Sequence, residues 1–237
     1  MIGFNIRKII DIVLLIAFKE LSHFQFSLLP KTDESFPTST QPPTATTTLK
    51  PRPTTDVMAD IIFLMDSSQA VSQEAYRQEK TFVKEMAKHL NVYPGESRAA
   101  LITYGYTAYT VDTFGNTRFD DSVDRARSIR GARRIDLALQ KAAQLLTFAR
   151  RSVPKLLVLL TAGNQQSGPQ SPDYATSLIQ ARGGRSFVVM VGREPDENEF
   201  NKIVEKPADT FRVPPFNRIQ PYAAPLSKGI EKSLKEG

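Results

Sequence analysis

The segments that most constrain the fold are short and apolar without a break: Ile61-Ile62-Phe63-Leu64-Met65, Leu156-Leu157-Val158-Leu159-Leu160, and a third of the kind over 186–191. A strand with one wet face alternates polar and apolar residues, so runs like these need cover on both faces. Helical patterns lie between them. Ser72 opens one as a simple N-cap, and Phe82, Val83 and Met86 carry its apolar stripe to about Leu90. Over 135–148, Leu137, Leu139, Ala142, Leu145 and Leu146 keep helical spacing, and Pro154 then introduces the second apolar run. Further helices are expected over 174–182, 197–204 and 226–234, with a short strand near 211–213. Arg98–Tyr104 and the alternating stretch 106–114 predict a hairpin turning at Gly105. The pattern as a whole predicts an α/β fold: a doubly wound, mostly parallel central sheet with one antiparallel edge strand and helices on both faces.

The first 55 or so residues cannot belong to that core. Arg7 and Lys8 precede the apolar stretch 9–18, which is too short to span a bilayer and is interrupted by Asp11, so residues 1–27 read as a signal peptide or short hydrophobic leader. An uncleaved anchor is the alternative. Residues 28–56 are crowded with Pro, Thr and Ser and read as an extended linker whose hydroxyls would be O-glycan acceptors in a secreted chain. The globular domain is expected over 57–237. The chain has no cysteine, which removes any disulfide framework, thiol nucleophile or thiolate metal site.

Asp66-Ser67-Ser68-Gln69-Ala70 follows the first apolar run, which places a carboxylate at the end of a buried parallel strand, where open α/β sheets bind ligands. Further on stand Gly131-Ala132-Arg133-Arg134-Ile135-Asp136-Leu137-Ala138-Leu139 and Leu159-Leu160-Thr161-Ala162-Gly163. Singly these phrases are weak. In this order, over about 57–234, the chain resembles the von Willebrand factor type A domain. It is most similar to the extracellular matrix type of matrilin and collagen VI and related adhesion proteins, including those of invertebrate skeletal or mineral-associated matrices.

In that family, the resemblance implies, five side chains from three loops surround a divalent cation at the carboxyl edge of the sheet. Asp66 and Ser68 match the first two positions. The second Ser falls on Ala70, the loop Thr on Arg133 and the second Asp on Ala162, so the metal-ion-dependent adhesion site is degenerate. One carboxylate and one hydroxyl should hold a hard cation poorly, because Mg²⁺ dehydrates reluctantly. No cofactor is therefore expected; weak Mg²⁺ binding through shifted donors such as Thr161, Asn164 or Asp136 is the alternative. Arg133 has two readings: its guanidinium takes the place of the cation and pairs with Asp66, or it points to solvent while Asp66 accepts backbone N–H groups.

Arg125, Arg127, Arg130, Arg133 and Arg134 share one short stretch, and the net charge of +6 favours anionic partners. Arg127, Arg130, Arg133 and Arg134 are the ligand-binding candidates, set against the alternative of a solvated face paired with Asp120, Asp121 and Asp124. No phosphate-binding glycine motif and no Gly-x-Ser-x-Gly elbow occurs, and His89 near a helix end is a poor catalytic base, so no enzyme is expected. No nucleic-acid motif occurs either. The expected function is a secreted extracellular matrix or adhesion protein that binds matrix proteins or acidic polysaccharides without metal. A membrane-anchored form with the leader retained and an intracellular α/β scaffold are the alternatives.

Overall fold

The computed structural model describes residues 58–115, 118–166 and 172–236. The leader and linker expected over 1–27 and 28–56 lie outside the described residues. No helix among the described residues is long and apolar enough to cross a membrane.

The three apolar runs form β1 (Asp60–Asp66), β4 (Lys155–Thr161) and β5 (Gly184–Val191), adjacent and parallel in the middle of a six-stranded sheet. The sheet is completed by β2 (Arg98–Tyr104), β3 (Ala108–Asp112) and β6 (Thr210–Val213), in the order β3-β2-β1-β4-β5-β6. Only the β2–β3 pair is antiparallel, and its register shifts between Leu101 and Ile102. The doubly wound α/β architecture expected from the sequence is what the chain adopts.

Because strand side chains alternate, successive residues of β1 enter opposite layers. Ile61, Phe63 and Met65 pack with Phe82 and Met86 of α1 (Gln73–His89) and with Leu226 and Ile230 of α6 (Ala223–Lys235). Ile62 and Leu64 join Leu139 and Ala142 of α3 (Ile135–Leu145), Ile179 of α4 (Pro172–Ala181) and Phe200 of α5 (Glu197–Phe200). Every β1 residue is buried. That is why the run cannot alternate.

Ser72 caps α1 as expected: its Oγ accepts the Ala75 N–H at 3.1 Å. Three local expectations change. The helix expected over 197–204 stops at Phe200, since Ile203 and Val204 are buried from a turn instead. The α-helical part of 135–148 ends at Leu145 and tightens into a single 3₁₀ turn, Leu146–Phe148. A helix that the patterns missed, α2 (Phe119–Arg125), is only seven residues long, too short for periodicity to register. Phe119 anchors it against Phe63, with ring centroids 5.5 Å apart.

The chain runs outward from β1 through β2 to β3 and then returns to the other side of β1 to form β4. The switch point therefore falls between β1 and β4, and Asp66 stands at the carboxyl end of β1 beside it.

Candidate functional site

Asp66 is fully buried and fastened from three directions. Its Oδ1 accepts the Ser68 N–H at 3.0 Å, within its own loop. Its Oδ2 accepts the Ala162 N–H at 3.0 Å from the loop after β4, and the Arg133 Nε–H at 2.6 Å from the loop before α3. The Asp66 N–H in turn donates to Glu79 Oε1 of α1 at 2.9 Å. A carboxylate with this many donors is well satisfied.

The backbone explains why Arg133 arrives there. Arg130 N–H donates to Ser67 O at 2.7 Å, Gln69 N–H to Gly131 O at 2.9 Å, and Arg134 N–H to Gly105 O at 3.0 Å, so the loop before α3 is laced onto the ends of β1 and β2. Gly105 is required by close approach: a Cβ there would lie 2.2 Å from Arg130 O. The guanidinium is then walled in by Gly163, whose added Cβ would meet Arg133 Nη1 at 2.5 Å, and that Nη1 donates to Asn164 O at 3.2 Å. Arg133 retains 3% exposure. Of the two sequence readings for this residue, the solvent-pointing one does not describe its position.

Glu79 is a functional-site residue that the sequence reading missed. It is fully buried, and burial with the neighbouring Asp66 carboxylate pushes its carboxyl well above the ordinary range, against the Asp66 N–H and the Arg133 charge. Its protonated form is favoured by that setting. A signal existed: Tyr76, Glu79, Phe82, Val83 and Met86 follow helical spacing, so Glu79 stands on the buried stripe of α1.

The residues present do not fit a divalent cation. The position beside Asp66 Oδ2 is taken by a guanidinium, burial raises the Glu79 carboxyl well above its ordinary range, and the methyl groups of Ala70 and Ala162 face a cleft of about 370 Å³ where oxygen donors would be needed. The shifted donors are committed elsewhere: Asp136 takes two hydrogen bonds from Arg134 at 2.9 and 2.7 Å, Thr161 Oγ1 donates to Gly163 O, and Asn164 Oδ1 accepts the Asp196 N–H. Among the described residues no group of three or more His, Cys, Asp or Glu side chains is placed to hold a metal.

The arginine candidates separate. Arg133 and Arg134 are spent on Asp66 and Asp136 and leave the proposed patch, a correction that follows from the depth of those carboxylates. Arg127 and Arg130 stay exposed, Arg130 with a left-handed backbone at φ 63°. Arg127 joins Arg125, Tyr106 and Tyr109 around an open groove of about 450 Å³ beside the antiparallel edge strand. Tyr106 and Tyr109 are 58% and 55% exposed, and the sequence reading gave neither a role.

The sheet is open and mostly parallel, its switch point carries the buried Asp66, and the loops after β4 and before α3 close over that carboxylate, the place where folds of this class bind ligands. A family model of the von Willebrand factor type A domain matches residues 60–223, and the chain belongs to that family. Von Willebrand factor A domain-containing protein 1 of Bos taurus is 32% identical over 149 residues, 60% of this chain and 35% of that protein. Matrilin-2 of Mus musculus is 26% identical over 175 residues, 68% of this chain and 18% of that protein. The chain therefore spans a minor part of the length of these relatives. Proximal thread matrix protein 1 from the mussel byssus shares the fold with a TM-score of 0.69 at 18% identity, over 74% of this chain and 48% of that one. A further structure of that mussel protein carries zinc in its metal-ion-dependent adhesion site.

Proposed function

We propose that this chain is a secreted, non-enzymatic component of an extracellular matrix, whose von Willebrand factor type A domain binds matrix proteins without a metal ion. The observation that carries the reading is the buried Asp66–Arg133 pair, 2.6 Å long, at the strand end where the family offers a cation. With the charge of Asp66 answered from within, recruitment of a partner falls to side chains on the surface. The groove of Tyr106, Tyr109, Arg125 and Arg127 has the composition of a protein-binding patch, since Tyr and Arg are the residues that interfaces favour.

Matrilin-2, cuticlin-6 of Caenorhabditis elegans and the mussel thread protein support the matrix setting by their names, and a skeletal or mineral-associated matrix is its more specific form. The non-enzymatic reading is supported by the pairing of the Asp66 carboxylate with Arg133 and by the place of His89, half-buried at the end of α1 and away from that pair in sequence. The test is capture of solubilised extracellular matrix proteins by the immobilised full chain, in EDTA and in millimolar Mg²⁺. Equal capture in both, reduced by Tyr106→Ala with Tyr109→Ala, is expected. Capture that EDTA abolishes would refute the metal-independent reading.

A further inference from the structure

β5 and β6 end on the same edge of the sheet as Asp66, and beyond their ends lies an open groove of about 720 Å³. Arg193, Arg212, Arg218, Pro214, Pro215 and Tyr222 line it. Arg212 shapes the groove: its Nη1 donates to Gly192 O at 3.1 Å and its Nη2 to Pro195 O at 2.9 Å, which folds the loop after β5 around the guanidinium. Those acceptors are neutral carbonyls. Arg193 and Arg218 are exposed, and among the described residues none of the three arginines makes an ion pair. The lining contains no Asp or Glu. Three like charges around one groove repel when it is empty and favour an anion that carries several charges.

The remaining walls narrow the choice. Tyr222 is 42% exposed and stands with two prolines, which gives flat apolar surfaces beside the guanidinium forks. Successive bases of a nucleic acid would need a series of aromatic platforms, and this groove has one ring. We infer that the groove binds a sulfated polysaccharide, its sulfate esters on Arg193, Arg212 and Arg218 and a sugar ring against Tyr222. This surface differs from the protein-binding groove beside β3, so the two assignments stand or fall separately.

Immobilised heparin is the probe, with the full chain eluted by salt and dissociation constants measured in solution. Arg193→Ser with Arg218→Ser, both exposed side chains, should weaken binding about tenfold, and Tyr222→Ala should weaken it severalfold. The charge-matched pair Arg151→Ser with Lys202→Ser, exposed and away from the groove, should change it little. Unaltered melting temperatures in all three variants show that folding is not the cause. Equal losses in the two charge-matched pairs would mean a diffuse effect of net charge and would overturn the assignment. So would full retention of desulfated heparin, or displacement of heparin by polyaspartate at equal affinity, which would make the occupant an acidic peptide.

Discussion

Replacing Arg133 by Met keeps the length of the side chain and removes its charge. Asp66 then remains fully buried with only the Ser68 and Ala162 N–H groups, and Glu79 beside it, itself an acid, brings no positive charge to compensate. Truncating one partner of a buried pair costs about 3–5 kcal/mol, chiefly the cost of the charge left behind. For a domain of this size each kcal/mol lowers the melting temperature by about 2–4 °C, so a fall of roughly 6–20 °C is expected. Removing both charges, Asp66→Asn with Arg133→Met, should cost much less than the sum of the two single changes, because no ion is stranded. The measurement is thermal and urea unfolding of the four proteins followed by circular dichroism. A loss below about 1 kcal/mol for the Arg133 variant, or strict additivity in the cycle, would show that the pair does not hold the site together as argued.

Two more predictions concern the same pocket. Glu79 has its folded-state value raised above the ordinary 4.5, so the native chain loses stability as pH rises through that value towards the raised one; Glu79→Gln has no proton to lose. The stability of Glu79→Gln relative to the parent should therefore climb above pH 4.5 by up to about 1.4 kcal/mol per pH unit, and parallel pH–stability curves would contradict the raised value of Glu79. Restoring donors with Ala70→Ser, Arg133→Thr and Ala162→Asp together should create Mg²⁺-dependent stabilisation of about 2.7 kcal/mol at a hundredfold excess over the dissociation constant. The parent should show none, and an equal Mg²⁺ shift in both proteins would mean that Arg133 does not displace a cation.

Much of the fold was legible because its signals are local. The unbroken runs of β1, β4 and β5 require two-sided burial, and the capping Ser72 and the stripe of α1 are read within a few residues. The missed α2 and the overextended α5 show the limit of that reading. Over four to seven residues, apolar spacing cannot tell a helical turn from a buried loop, and packing against Phe63 or inside the α3–α4 layer settles the matter.

At the site, the sequence alone determined which side chains stand there: a carboxylate at Asp66 and a hydroxyl at Ser68, with no side-chain oxygen at Ala70, Arg133 or Ala162. Which side chain answers the remaining carboxylate was a tertiary decision. Arg133 lies 67 residues from Asp66 in the chain, and only the return from β3 across β1 to β4, with the loop before α3 laced to Ser67 and Gly105, brings them within 2.6 Å. The same holds for the arginines, which look alike in a row. Depth divides them: the buried carboxylates of Asp66 and Asp136 capture Arg133 and Arg134, while Arg127 and Arg130 stay exposed, and residues as distant in sequence as Arg193 and Arg218 meet at one groove. Periodicity records which face of an element is buried, whereas the pairing of charges depends on which loops the sheet order sets side by side.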